Sequence, residues 1–246
     1  MLCPMKSKIR LYVDHPLGDG QAVTLTREQA HYLFGVMRLT VGSQIAMFNG
    51  ADGEWLADIT QAGKRGGEVL CGQHSAPLQM PPDVWLCFAP IKKARIQYIV
   101  EKAVEMGVRR IVPMMTEYTN SERIRPERLQ AHAIEAAEQC GATYVPQVAP
   151  LVRFDALLAT MKDRHLLFCD EAEAGEARGF EKAGVSEADP WSILIGPEGG
   201  FSPDERAKLQ NLPNTQTLSL GPRILRAETA AVAALTLWQM QFGDWT

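Results

Sequence analysis

Two passages near the C-terminal end bring charged side chains up to turns that are almost bare of side chains. The first is Ile193-Leu194-Ile195-Gly196-Pro197-Glu198-Gly199-Gly200-Phe201-Ser202-Pro203-Asp204-Glu205, and the second is Leu218-Ser219-Leu220-Gly221-Pro222-Arg223-Ile224-Leu225-Arg226-Ala227-Glu228-Thr229. In each, an apolar strand runs into glycine and proline and then into a helix. Main-chain N–H and C=O groups in such turns can approach a ligand closely, and Glu198, Arg223, Arg226 and Glu228 stand at their edges. Two turns of this kind at the carboxyl ends of strands in one α/β sheet predict a crevice for a small molecule.

The elements that must position these turns are legible in outline. Ser202-Pro203-Asp204-Glu205 is a capping box with proline at the first helical position, so a helix starts there. The plain alternative for Gly196, Gly199 and Gly200 is a tight βα turn, which ordinarily uses one glycine; three with a proline and a glutamate favour a ligand loop. It is not a phosphate-binding P-loop, since no Gly-Lys-Ser/Thr follows, and the GxGxxG dinucleotide fingerprint is absent. The helix after Glu228 is rich in alanine (Ala230, Ala231, Ala233, Ala234), which suits close packing against another backbone.

Upstream, the chain from Asp83 alternates strand and helix. Val84 to Ala89, Ile111 to Met115, Leu166 to Cys169, Ser192 to Ile195 and Thr217 to Leu220 read as strands. One helix carries Ile96, Ile99, Val100 and Ala103 at helical spacing and stops at Gly107; another opens on Pro126 and ends before Gly141. This alternation predicts a mostly parallel sheet covered by helices. The first 76 residues differ. Ile9 to Val13, Ala22 to Leu25, Gln44 to Phe48, Trp55 to Ile59 and Glu68 to Cys71 read as short strands. Turns at 49–53 and 63–67 and one helix from about Arg27 to Met37 separate them. The expectation is a small β-barrel over 1–76 and an α/β domain over 77–246, with Pro77 to Pro82 as linker.

Composition narrows the class. The chain has 46% hydrophobic residues and a net charge of −4, enough apolar content for a packed core. The five cysteines (3, 71, 87, 140, 169) are scattered without a CxxC pair; this favours a reducing cytoplasm over a disulfide framework or a zinc site. Neither a signal peptide nor a membrane span is expected. Charge is unevenly spread. Lys92 to Arg128 holds nine Lys/Arg against five Asp/Glu, and Leu129 to Gly221 seven against fourteen. A basic segment on an acidic body can form a phosphate-binding face, or be an ordinary solvated surface. His31, His132, Trp55 and Trp85 read as packed or surface residues.

These closing motifs resemble those of the RsmE family, small-subunit ribosomal RNA uridine N3-methyltransferases of the SPOUT superfamily. Further similarity lies in Lys92-x-x-x-x-x-Gln97-x-Ile99-Val100-Glu101-Lys102-Ala103-x-Glu105-x-Gly107-Val108, in Glu135-Ala136-Ala137-Glu138-Gln139-Cys140-Gly141 and in His31-Tyr32-Leu33-x-x-Val36-Met37-Arg38. One departure is Ala142, where the family pattern has an arginine. The resemblance implies a PUA-like RNA-binding barrel followed by a SPOUT domain with a deep trefoil knot, a cytoplasmic homodimer, and 16S ribosomal RNA or the small subunit as partner. It also implies S-adenosylmethionine as cofactor, pinched by three loops. These would be the loop after Leu167, Phe168 and Glu171; the loop of Ile195, Gly196, Pro197, Glu198, Gly199 and Gly200; and the loop of Leu218, Ser219, Leu220, Gly221, Ile224 and Leu225 with Thr229.

Methyl transfer from a sulfonium requires in-line placement of nucleophile and methyl and needs no metal. Uracil N3 carries a proton at neutral pH. Arg223 is therefore expected to offset charge on the uracil oxygens, with Glu228 or Glu198 taking or relaying the proton. For Glu198, acceptance of loop N–H bonds is the plainer role. Lys92, Lys93, Arg95, Arg123 and Arg125, with Arg10 and Arg38 on the barrel, are the expected phosphate contacts. Rival readings are a knotted methyltransferase acting on a ribose 2′-hydroxyl and a non-catalytic ribosome-assembly factor. A nucleotide hydrolase lacks both a phosphate-lysine motif and an evident nucleophile–base pair.

Overall fold

Short apolar runs broken by glycine turns pair into one sheet in the first part of the chain. The computed structural model describes residues 9–120, 124–170 and 189–245. Five strands take the order β1 (Arg10–Tyr12), β3 (Gln44–Phe48), β4 (Glu54–Gly63), β5 (Gly66–Ala76), β2 (Ala22–Leu25). β1 and β3 are parallel and the other pairs antiparallel. Along β2, Val23 and Leu25 are buried while Ala22 and Thr24 are exposed, the period-two alternation of a one-sided sheet. The inward side chains join Leu11, Val13, Leu33, Ile45, Met47, Ile59 and Val69 in one core. In the 49–53 turn, Asn49 Oδ1 accepts the N–H groups of Ala51 and Asp52 at 3.0 and 2.8 Å. Gly50 and Gly53 there take the left-handed φ values of 81° and 76°.

The helix expected from Arg27 to Met37 is only partly α. α1 (Arg27–Ala30) starts on a Thr26–Gln29 capping box, then widens into a π-helical turn over His31–Val36. Gly35 and β-branched Val36 are weak α-formers, and π turns of this kind are short by nature. The wider turn leads into Arg38, at φ 57°.

The chain divides into two compact units. One comprises residues up to Met80 together with Ala137–Val145; the other comprises Pro81–Ala136 and Pro146–Thr246. The inclusion of 137–145 departs from a single cut in the sequence, and Arg10 explains it. Its Nε pairs with Glu54 Oε2 at 2.6 Å, and its Nη1 and Nη2 donate to the carbonyls of Ala137, Glu138 and Ala142. Tyr12 N–H donates to Glu138 Oε1, and Thr143 bonds to Gln79 and Pro77. Position 142, where an arginine was expected, thus contributes its backbone oxygen to a guanidinium from the first strand.

The second unit carries a parallel sheet in the order β12 (Thr215–Leu218), β10 (His165–Cys169), β11 (Trp191–Ile195), β6 (Val84–Phe88), β7 (Arg110–Met115), β8 (Gln147–Val148). β9 (Val152–Arg153) pairs with β7. Every pairing is parallel, so the inner strands are buried on both faces and read as apolar runs; β11 is buried at all five positions, whereas edge strand β12 (Thr-Gln-Thr-Leu) is mostly half-buried. α2 (Lys93–Glu105) buries Ile96, Ile99, Val100 and Ala103 and stops at Gly107, φ 70°. α3 (Pro126–Cys140) ends at Gly141, φ 83°. α5 (Pro203–Gln210) has the Ser202–Glu205 capping box, and α6 (Ala227–Phe242) packs on α2 and β11. β8, β9 and α4 (Phe154–Ala159) were not foreseen, because two-residue strands carry no periodic signal.

Candidate functional site

At the carboxyl ends of β10, β11 and β12 a cavity of about 310 Å³ opens, the lower end of the roughly 300–1,000 Å³ typical of small-molecule sites. Its walls come from the two glycine turns and the start of α6. Ile195, Gly196, Pro197, Glu198 and Gly200 form one side, and Leu218, Leu220, Gly221, Arg223, Ile224 and Leu225 another. Arg226, Ala227 and Ala230 close it at the helix, and Cys169 and Asp170 at the end of β10. The small residues of α6 serve two ends: Ala227 and Ala230 line the cavity, while Ala231 and Ala234 are packed into the core.

The glycines have distinct reasons to be there. A Cβ on Gly196 would stand 3.0 Å from the Phe201 ring, which folds back beneath the loop. Gly200 closes a turn by donating its N–H to Pro197 O at 2.9 Å and sits at φ 70°; Gly221 takes φ 105°. Phe201 in turn packs edge-on against Phe168 with ring centres 5.1 Å apart. The loop is therefore anchored on the core below it. The start of α5 is tied down as well, since Glu205 accepts the N–H groups of Ser202 and Glu117.

Electrostatics at the wall is set by pairs. Glu198 Oε1 accepts from Arg95 Nη1 at 2.7 Å; among the described residues this, and not a loop N–H, is its partner. Arg95 Nε lies 3.4 Å from Glu228 Oε1, and Glu228 Oε2 is buried with no hydrogen-bond partner among the described residues. Asp170 Oδ2 accepts from Arg206 Nε and Nη2 at 2.8 and 2.7 Å. Cys169 is partly exposed yet enclosed on most sides, and that enclosure pushes its thiol up to about 12. It is a neutral group at physiological pH, without the thiolate that nucleophilic attack would need.

Several expected contacts fall elsewhere. Leu167 and Phe168 are buried in the core, and the cavity is reached instead by the next residues along β10, because ligands lie outside the carboxyl ends of strands. Gly199 faces Tyr118, and Ser219 Oγ is buried, without a partner among the described residues, between two wall residues. Gly199, Ser219, Thr229 and Glu228 do not line the cavity. Arg10 is turned inward, as described above, and Arg95 is a wall residue. Lys92, Arg125 and Arg38 are exposed. Arg123 and Glu171 lie outside the described residues, as does the side chain of Lys93. Sequence reasoning missed Cys169, Asp170, Phe201, Arg226, Ala227 and Ala230 as wall residues. Asp170 had a readable signal, as the first charged residue after an apolar strand.

Residues 79–239 match the family model for an RNA methyltransferase domain, and residues 25–70 the model for an RNA methyltransferase PUA domain. Ribosomal RNA small subunit methyltransferase E of Rickettsia conorii is 30% identical over 227 residues, 92% of this chain and 93% of that one. The chain belongs to the ribosomal RNA small subunit methyltransferase E family. The family member of Bacillus subtilis is 28% identical over 89% of this chain and 90% of its own. Two solved structures agree at a TM-score of 0.86. One is a family member from Neisseria gonorrhoeae bound to S-adenosyl methionine, 26% identical, covering 97% of this chain and 99% of its own. The other is a Legionella pneumophila protein in complex with SAM, 30% identical, covering 96% and 98%. The family's PUA model thus falls on the mixed five-stranded sheet and its methyltransferase model on the parallel one.

Proposed function

We propose that this chain transfers the methyl group of S-adenosylmethionine to N3 of a uridine in the 16S ribosomal RNA of the small subunit. The observation that carries the proposal is the cavity at the carboxyl ends of β10, β11 and β12, walled by main chain at Gly196, Gly200 and Gly221. The donor set fits the cofactor. Leu218, Leu220, Ile224 and Leu225 offer apolar walls for an adenosyl group, and the glycine turns bring main chain, bare of side chains, close to its polar edges. Ser219 Oγ adds a buried hydroxyl, without a partner among the described residues, beside that wall.

S-adenosylmethionine, when bound, supplies an electrophilic methyl group on a sulfonium. The chain's own residues do the rest. The apolar wall excludes water. Arg223, on the same wall, offsets negative charge on the uracil oxygens as the N3 proton leaves. Of the two carboxylates on the cavity wall, Asp170 is held by Arg206, and Glu198 takes or relays that proton. Glu228 stands behind the wall, joined to Glu198 through Arg95.

RNA is gripped through exposed Lys92 and Arg125 of the second unit and through Arg38, which follows the π-helical turn of the PUA-type unit. We assign no such role to Arg10, whose donors are engaged within its own unit. α6 leaves Leu237 and Met240 exposed, an apolar face suited to a second copy, in a homodimer; a monomer mass in sedimentation at micromolar concentration would refute it. The trefoil knot and a cytoplasmic location follow the family resemblance. Among the described residues no helix is long and apolar enough to cross a membrane.

The experiment is mass mapping of small-subunit RNA from cells with and without this protein. Loss of a single N3-methyluridine is expected. Loss of a 2′-O-methyl group would move the reaction to ribose, and an unchanged map would refute the proposal.

A further inference from the structure

Arg95 has the sequence setting of a phosphate contact, in the first turn of α2 within a basic segment, yet its guanidinium is committed to the cavity wall. Nη1 donates to Glu198 Oε1 at 2.7 Å, and Nε lies 3.4 Å from Glu228 Oε1. The side chain is 27% exposed, against 52% for Glu198 and 16% for Glu228. These carboxylates come from different segments: Glu198 from the turn after β11, Glu228 from the first turn of α6. One planar fork therefore ties α2, the glycine turn and the last helix together. Arginine suits this task because its donors diverge in a fixed plane, whereas lysine offers a point charge on a flexible stem.

The charge count is informative. One guanidinium faces two carboxylates, so the group carries a net −1, and part of that charge sits on Glu228 Oε2, which is buried without a hydrogen bond. Removal of Arg95 would leave Glu228 half-buried and uncompensated, and would release Glu198 from the wall. A buried charge that loses its partner is costly, so the turn and the helix would move apart.

We propose that Arg95 is a positioning residue for methyl transfer and not a contact to RNA phosphate. It holds Glu198 at the wall and fixes the separation between the glycine turn and α6. The inference rests on the function proposed above and deepens it, since it assigns what sets the geometry of the proton-accepting carboxylate.

The test compares wild type, Arg95→Ala, Arg95→Lys, Glu198→Gln and the Arg95→Ala/Glu198→Gln double variant. Single-turnover methyl transfer to small-subunit RNA is measured alongside RNA affinity at several salt concentrations. Arg95→Ala is expected to slow transfer about 100-fold, the scale of a small misplacement of reacting groups. Arg95→Lys should recover part of that loss. The double variant should be no slower than Arg95→Ala, because residues that act as a unit are not additive. The salt dependence of RNA binding should be unchanged.

A transfer rate within threefold of wild type in Arg95→Ala overturns the inference. So does a drop of about one in the salt slope, the signature of a lost phosphate contact, or fully additive losses in the double variant. Should Arg95→Ala fail to fold, Arg95→Lys decides: it keeps the charge, so a wild-type rate there refutes a role that depends on the fork. Inactive wild type would refute the proposed function, whereas active wild type with an unaffected Arg95→Ala refutes only this inference.

Discussion

Gly196 shows how much one missing side chain accomplishes. Phe201 turns back under the loop until its ring edge is 3.0 Å from where a Cβ on Gly196 would be; the ring is held in turn by Phe168 and Phe154. Alanine there must push either the ring or the cavity wall. Because the ring is packed on the core, the wall gives way. Gly196→Ala is therefore expected to weaken S-adenosylmethionine binding about tenfold, or about 1.4 kcal/mol, in calorimetric titration, with little change in melting temperature. Unchanged affinity would mean that the turn does not hold the cofactor. The residue scale is also where sequence reading reached least far. The glycine turns stood out by composition, but the partner of Glu198 is an arginine 103 residues earlier in the chain. No local pattern distinguishes a basic side chain that meets phosphate from one that folds back onto a carboxylate.

At the scale of elements, strands and helices were legible because their signals are local. The capping box at Ser202–Glu205, proline at the start of α3 and the left-handed glycines at 107 and 141 all appear where their chemistry requires. The π turn after Ala30 and the two-residue strands β8 and β9 were not legible, since neither has a period long enough to read. The end of the sheet opposite the cavity is secured by Arg164. Its Nε donates to Ser192 Oγ at 3.0 Å, its Nη2 to Asp83 Oδ1 at 2.9 Å, and its guanidinium stacks 4.0 Å above the Trp85 ring. Arg164 is 8% exposed. Its removal leaves the partly exposed Asp83 carboxylate with only Arg109 Nη1, 4.0 Å away, among the described residues, and deprives the buried Ser192 hydroxyl of this donor, which costs about 1–3 kcal/mol. Arg164→Ala should lower the melting temperature by roughly 5 °C while leaving cofactor affinity in the surviving folded fraction unaltered. A melting curve that overlays wild type would contradict this role.

For the whole molecule, charge and topology act together. The net charge of −4 would repel RNA if spread evenly, so binding depends on where the basic residues lie. Lys92, Arg125 and Arg38 remain exposed, whereas Arg10 and Arg95 are spent on carboxylates and carbonyls. The proposed RNA grip therefore uses fewer of the described cations than the sequence offers. Affinity should still fall with salt, with a slope lower by about one for each exposed cation removed. Lys92→Ala and Arg125→Ala should show that change and Arg10→Ala should not; a slope altered by Arg10→Ala would reverse the assignment.

The cavity at the carboxyl ends of β10, β11 and β12 is the feature on which the functional account stands, and a calorimetric titration of the purified chain with S-adenosylmethionine tests it most directly. The account predicts saturable binding at one site per chain. A folded, stable protein that releases no heat and shows no shift in melting temperature with S-adenosylmethionine in excess would contradict it.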